Sequence, residues 1–182
     1  MKHRILFLGP PGAGKGTQAQ RLCAIHKMAH LSTGDLLRTE VAAGTTLGHR
    51  AGAAMQRGDL VSDSLVLAIV ESHLRSQNGC WLLDGFPRNL AQAQSLELLL
   101  LQLGQPIEAV LLLKLDDSLA LKRLLARGRI DDDEIVIQHR LKIYHEEAGP
   151  LISYYQQKGL LNAIAAQGTA GETAARVEEA IS

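Results

Sequence analysis

The stretch GPPGAGKGTQ, Gly9 to Gln18, follows directly on the apolar run RILFL. A short apolar run stopped by Gly-Pro reads as a buried strand, and a helix is expected from about Lys15 to Lys27. Strand, glycine-rich turn and helix form the setting of a phosphate loop, whose general pattern is G-x-x-x-x-G-K-[ST]. Gly9, Gly14 and Lys15 fit the pattern, while Gly16 displaces the hydroxyl to Thr17. In such a turn the backbone N–H groups wrap a phosphate and the positive end of the helix adds to them. Lys15 would reach the β- and γ-phosphates, and Thr17 would face a magnesium ion. The competing reading is a tight turn with a surface lysine; a strand and a helix on either side disfavour it.

Length and charge narrow the partners. A chain of 182 residues makes one domain, or one core with small inserts, and buries most of the surface it exposes when unfolded. Lys and Arg number 19, as do Asp and Glu. With no charged tail, nucleic acid is not an expected partner. Cys23 and Cys80 lie in apolar stretches without CxxC spacing. They read as buried free thiols in a reducing compartment, with no zinc site. The N-terminal apolar run is too short for a secretory signal, and LELLLLQLG is too short and interrupted to span a bilayer. A cytoplasmic protein is expected, off the membrane and monomeric.

Along the chain, strands alternate with helices. After the loop come a short strand end and a helix in HLSTGDLLRTEVAAG, then a helix in LGHRAGAAMQRG closed by Gly58. SDSLVLAIVESHLRSQ is an amphipathic helix, CWLLDGFP a strand broken by Gly-Phe-Pro, and NLAQAQSLELLLLQLG a helix ending at Gly104. EAVLLLKL is the continuous apolar strand of a sheet interior. Helices over Asp117–Arg127 and Asp133–Lys158 precede a last strand, LLNAI, and a helix opened by a capping box of Thr169 and Glu172. The expected class is α/β: a P-loop three-layer fold, its five-stranded parallel sheet flanked by helices on both faces.

The ending GKGT narrows the family. GPPGAGKGTQA resembles the loop of adenylate kinases, and further segments resemble that family in the same order: LSTGDLLR, GDLVSD, LLDGFPRNLAQA, RLLARGRIDDDE and RLKIYHEEAGPLISYY. The similarity runs from about residue 4 to residue 168. It implies reversible transfer of a phosphoryl group from MgATP to AMP, giving two ADP, with ATP, AMP and ADP as partners. It also implies one P-loop kinase domain over 1–182, with an AMP-binding helical segment at 32–61 and a very short lid at 126–132.

The resemblance assigns residues. ATP falls to Gly12, Ala13, Gly14, Lys15, Gly16 and Thr17, with Arg123 beside the adenine, Arg127 on ATP, and Gly168. AMP falls to Thr33, Arg38, Asp59, Leu60, Val61, Gly85, Phe86, Pro87, Arg88, Gln92, Arg129 and Arg140. Arg38 and Arg88 take the AMP phosphate, and Arg129 and Arg140 clamp the transferred one. Lys15, Arg88, Arg127, Arg129 and Arg140 form the catalytic set. Magnesium falls to Thr17 and Asp84, largely through water. Asp131 and Asp132 match paired aspartates that orient the clamp arginines, although a solvated helix start is the plainer reading of DDDE.

The chemistry is consistent with this set. A phosphate monoester is mostly a dianion at neutral pH, its second pKa being about 6, so the nucleophile needs no general base, and none of the seven histidines sits in a catalytic setting. Transfer needs alignment and positive charge. For the base, Thr33 and Gln92 match the adenine-specific residues of the family, where relatives acting on UMP and CMP carry alanine and asparagine; Thr33 also suits a helix cap. One departure stands out: only Gly128 separates Arg127 from Arg129, which leaves no room for a zinc-bearing lid and bears on how water is shut out. Two other classes compete. A P-loop switch or ATPase would need no acceptor arginine after DGFP, and an inactive nucleotide-binding module would need no full arginine set.

Overall fold

The computed structural model describes residues 1–77 and 79–182. Its elements are β1 (Arg4–Leu8), α1 (Lys15–His26), β2 (Ala29–Ser32), α2 (Thr33–Ala42), α3 (Thr46–Arg57), α4 (Asp63–Arg75) and β3 (Trp81–Asp84). They continue through α5 (Leu90–Gln102), β4 (Ala109–Lys114), α6 (Asp117–Arg127), α7 (Glu134–Gln157), β5 (Leu161–Ala165) and α8 (Ala170–Ile181). The strands form one parallel sheet in the order β2-β3-β1-β4-β5.

The apolar runs are strands because both faces of the sheet are covered, so successive side chains enter different cores. From β1, Leu6 and Leu8 join one cluster with Leu83, Leu112 and residues of α4, α5 and α7. Ile5 and Phe7 join the other with Leu82, Leu111, Leu113 and residues of α1 and α8. Each such side chain contributes about 1.5–3 kcal/mol by leaving water. A third, smaller cluster, Ala120, Leu124, Ile137 and Leu141, joins α6 to α7. α7 therefore belongs to two bodies. Its first half packs on α6, while Leu151 and Tyr155, beyond Pro150, pack in the first core.

Register positions the site. Asp84 pairs with Phe7 on one side and with Ser32 on the other. The ends of β2, β3 and β1 therefore lie abreast at the carboxyl edge, where ligands bind in open α/β sheets.

Three expectations change. The cap of α2 is Ser32, whose hydroxyl accepts from the Asp35 N–H at 3.3 Å, and not Thr33. Thr33 is instead buried, its hydroxyl donating to the Asp84 carbonyl at 3.3 Å. Cys23 is buried, but Cys80 is half-buried, with Sγ 3.8 Å from His3 Nδ1. The run DDDE is not a solvated helix start throughout: Asp133 caps α7 through the Ile135 N–H, whereas the Asp132 side chain is fully enclosed. The capping box of Thr169 and Glu172 is present in both directions.

Candidate active site

α1 opens on a bare N-terminus. Its N-cap is Gly14, at φ +87°, no side chain caps the helix, and its first turn carries no acid. The leading N–H groups and the helix dipole are thus presented to an anion. Lys15 Nζ donates to the carbonyls of Gly9 and Pro10 at 2.8 and 2.9 Å. Burial at the cleft floor lowers its pKa to about 8, with Asp84 pulling the other way. Ala13 is buried, and its N–H donates to the Pro10 carbonyl at 3.2 Å.

Beyond the loop lies an open cleft. Gly12, Gly14, Gly16 and Thr17 line it, as do Lys15, Arg38, Arg88, Arg123, Arg127, Arg129 and Arg140. Against these seven basic residues stand two lining carboxylates, Asp35 and Asp84, so the cleft is a trap for polyanions. Burial, then the nearby Arg140, draws the pKa of Arg88 down to about 10, which leaves it a full cation at neutrality. Arg140 and Arg129 shift downward as well, burial first in both; Asp131 then pulls the other way on Arg140, while Arg38 and Arg127 add to the lowering on Arg129.

Carboxylates hold the arginines apart. Arg127 meets Asp132 through Nε and Nη2 at 2.8 and 2.6 Å, and the Arg129 N–H donates to the same carboxylate at 3.0 Å. Arg140 Nη1 lies 3.2 Å from Asp131 and 3.6 Å from Asp132. Asp35 takes Arg38 at 2.5 Å and stands 3.8 Å from Arg129, linking α2 to the turn after α6. Burial works against the charge on Asp35 and Asp132, yet the arginine bonds hold both below the usual carboxylate range. Arg123 donates to the carbonyls of Ala166 and Gly168 at 3.0 and 3.2 Å, uniting two residues expected on ATP.

A second pocket adjoins the cleft and shares Gly34, Arg38, Gly85, Arg88 and Arg140 with it. Thr33, Asp59, Leu60, Val61, Phe86 and Gln92 line its remainder. Gly85, at φ +88°, is needed there, because a Cβ would fall 2.7 Å from Thr33 Oγ1. Arg88 Nε donates to the Gly85 carbonyl at 2.8 Å, which fixes the guanidinium plane at the boundary of the two cavities. Pro87 lines a neighbouring recess with Leu112 and Tyr144 that shares Leu60, Gly85, Arg88 and Arg140 with this pocket, and Arg129 lines the cleft.

Leu37, Met55 and Val66 also line the second pocket, and Gln20 and Asp35 the cleft; sequence reasoning passed over all of them. Gln20 was readable, being four residues beyond Gly16 on one helix face. The apolar three look like ordinary core until the pocket is seen. Asp84 is buried, and its Oδ2 lies 3.7 Å from where a Cβ on Gly16 would sit, beside Thr17. Among the described residues no group of three or more His, Cys, Asp or Glu side chains is placed to hold a metal ion, and no helix is long and apolar enough to cross a membrane.

Comparison with known proteins agrees with the architecture. The adenylate kinase family model matches residues 7–160. An adenylate kinase of Prochlorococcus marinus (strain MIT 9313) is 61% identical over 181 residues, covering 100% of both chains. One from Parasynechococcus marenigrum (strain WH8102) is 62% identical over 183 residues, again 100% of both. One from Synechococcus sp. (strain RCC307) is 59% identical over 181 residues, also 100% of both. With a family model spanning most of its length and relatives this similar from end to end, the chain belongs to the adenylate kinase family.

Proposed function

We propose that the cleft and the adjoining pocket are the ATP and AMP sites of the family reaction, reversible phosphoryl transfer from MgATP to AMP giving two ADP. The observation that carries this reading is the shared wall: Arg38, Arg88 and Arg140 line both cavities, so two phosphate groups can meet between them.

The AMP phosphate enters as a dianion and needs no base. Arg88 grips it with a guanidinium already oriented by the Gly85 carbonyl, and Arg38 approaches from α2. The loop N–H groups and Lys15 hold the β- and γ-phosphates of ATP. Arg127, Arg129 and Arg140, set by Asp131 and Asp132, surround the group in transfer and meet the charge spread over its equatorial oxygens. Thr17 and Asp84, the latter through water, fit a magnesium ion, whose part when bound with ATP is to neutralise phosphate charge. Gln92 and Thr33 read the adenine of AMP, and Arg123 with Gly168 flanks that of ATP.

In this reading the chain is a monomeric cytoplasmic domain over 1–182, with an AMP-binding segment at 32–61 and a lid reduced to 126–132. The test is a coupled assay with ATP and each of AMP, UMP, CMP and GMP, run on the native enzyme and on Thr33→Ala/Gln92→Asn. AMP should be much the best acceptor, and the double variant should gain UMP or CMP use relative to AMP, a lost matched hydrogen bond costing about 1–3 kcal/mol. An unchanged preference would place base reading elsewhere.

A further inference from the structure

Gln92 is 2% exposed and occupied at both ends of its amide. The Arg88 backbone N–H donates to its Oε1 at 2.7 Å, and its Nε2 donates to Asp63 Oδ1 at 2.7 Å. A backbone N–H can only donate and a carboxylate can only accept, so the two partners fix which end of the amide is oxygen. Turned over, the amide would set donor against donor at Arg88 and oxygen against carboxylate at Asp63.

What stays free is one acceptor position on Oε1 and one hydrogen on Nε2. That pair complements adenine, whose N6–H donates and whose N1 accepts. A 6-oxopurine presents the reverse, an accepting O6 and a donating N1–H. It would therefore suit the amide turned over. Asp63 does not line the base pocket; it stands behind Gln92, exposed in the first turn of α4.

We propose that Asp63 is a positioning residue for acceptor choice, holding the Gln92 amide in the orientation that accepts adenine and rejects 6-oxopurine monophosphates. The proposal rests on Gln92 reading the AMP base. Arg88 contributes through its main chain, which substitution cannot remove, so Asp63 is the half of the lock open to mutation.

The experiment measures kcat and KM for AMP, IMP and ATP in the native enzyme and in Asp63→Asn, Asp63→Ala and Gln92→Ala, with a melting curve for each. Asp63→Asn keeps shape and can donate to a turned amide; Asp63→Ala removes the bond. Loss of one charge-assisted hydrogen bond should raise the AMP KM about tenfold. It should also lower the AMP-to-IMP ratio of kcat/KM by at least that factor, with kcat and the ATP KM little changed. A merely structural Asp63, serving the start of α4, would lower the melting temperature and leave the ratio alone, which overturns the proposal. Should Gln92→Ala leave the AMP KM unmoved, base reading by Gln92 itself falls, and the positioning role with it. If Gln92→Ala moves it while both folded Asp63 variants do not, only the positioning role falls.

Discussion

Arg127 and Asp132 face each other across the turn between α6 and α7, two nitrogens on two oxygens at 2.8 and 2.6 Å, with the Asp132 side chain wholly enclosed. In a turn this short, that pair ties the end of α6 to the residues that follow it. It fixes the direction of Arg127, and the same carboxylate receives the Arg129 N–H. Asp132→Asn keeps the volume and loses the charge. It should destabilise the fold by about 1–3 kcal/mol at neutral pH and lower transfer by about a hundredfold, as Arg127 loses its aim. The native carboxylate is held below its usual range, so its contribution is present at neutral pH and lost as pH falls through the folded value. Urea unfolding at pH 7 and below pH 3.8, the ordinary aspartate value, checks this: native and variant should stay apart in mild acid and converge only below that value.

Lys15 carries the second prediction. Burial lowers its pKa to about 8 from the ordinary 10.5. Keeping the lysine charged therefore opposes folding below about pH 8, and that opposition relaxes as pH rises between those values. Activity runs the other way. The free enzyme loses its phosphate-binding cation above about pH 8, so kcat/KM for MgATP should fall there, while kcat at saturation holds to higher pH because bound phosphate restores the ammonium. Lys15→Ala should fold and fail to transfer. Near-normal turnover in the folded variant would remove Lys15 from the site.

Arg88→Lys tests geometry apart from charge. A lysine cannot both donate to the Gly85 carbonyl as Arg88 does and present a planar two-pronged face to phosphate. The variant should lose about a hundredfold in kcat/KM for AMP and much less in ATP binding. Initial rates over a grid of both substrates give the split, and equal losses would put Arg88 in the wrong subsite.

Gly128 ends α6 at φ +65°, and a Cβ there would meet nothing within 4 Å. A side chain at this position suffers only from the backbone, by about 1–2 kcal/mol. We expect closure to move α6 with the first half of α7, which share their own small core, while the second half stays in the main one. Gly128→Val should then lower transfer and raise the ratio of ATP hydrolysis to transfer, because Arg127 and Arg129 no longer converge. Phosphate release with and without AMP measures it; unchanged leakage would make Gly128 a plain connector.

Much of this was legible in the chain. The loop at Gly9–Thr17 and the strands at Ile5, Leu83 and Leu111 are written in local pattern, which is why the strand sequence and the carboxyl edge agree with the fold. What the sequence hid depends on contacts. Asp132 sits in a run of like residues, and only the turn decides which one is enclosed. Ser32 and Thr33 are adjacent hydroxyls, and the cap fell to the one whose backbone was still extended. Leu37, Met55 and Val66 have apolar periodicity whether they line a pocket or fill a core. Pro150 sits inside α7 without ending it, and nothing local foretells that the helix divides its packing there.

The most direct test of the two-site account is a crystal structure with a bisubstrate analogue, two adenosines joined through a phosphate chain. One adenine should lie against Gln92 and Thr33 with its phosphate on Arg88 and Arg38. The chain should then pass Arg140 to Lys15 and the N-terminus of α1, with the second adenine beside Arg123. An analogue bound with no base in the Gln92 pocket, or with its phosphates away from the wall shared by Arg88 and Arg140, would contradict it.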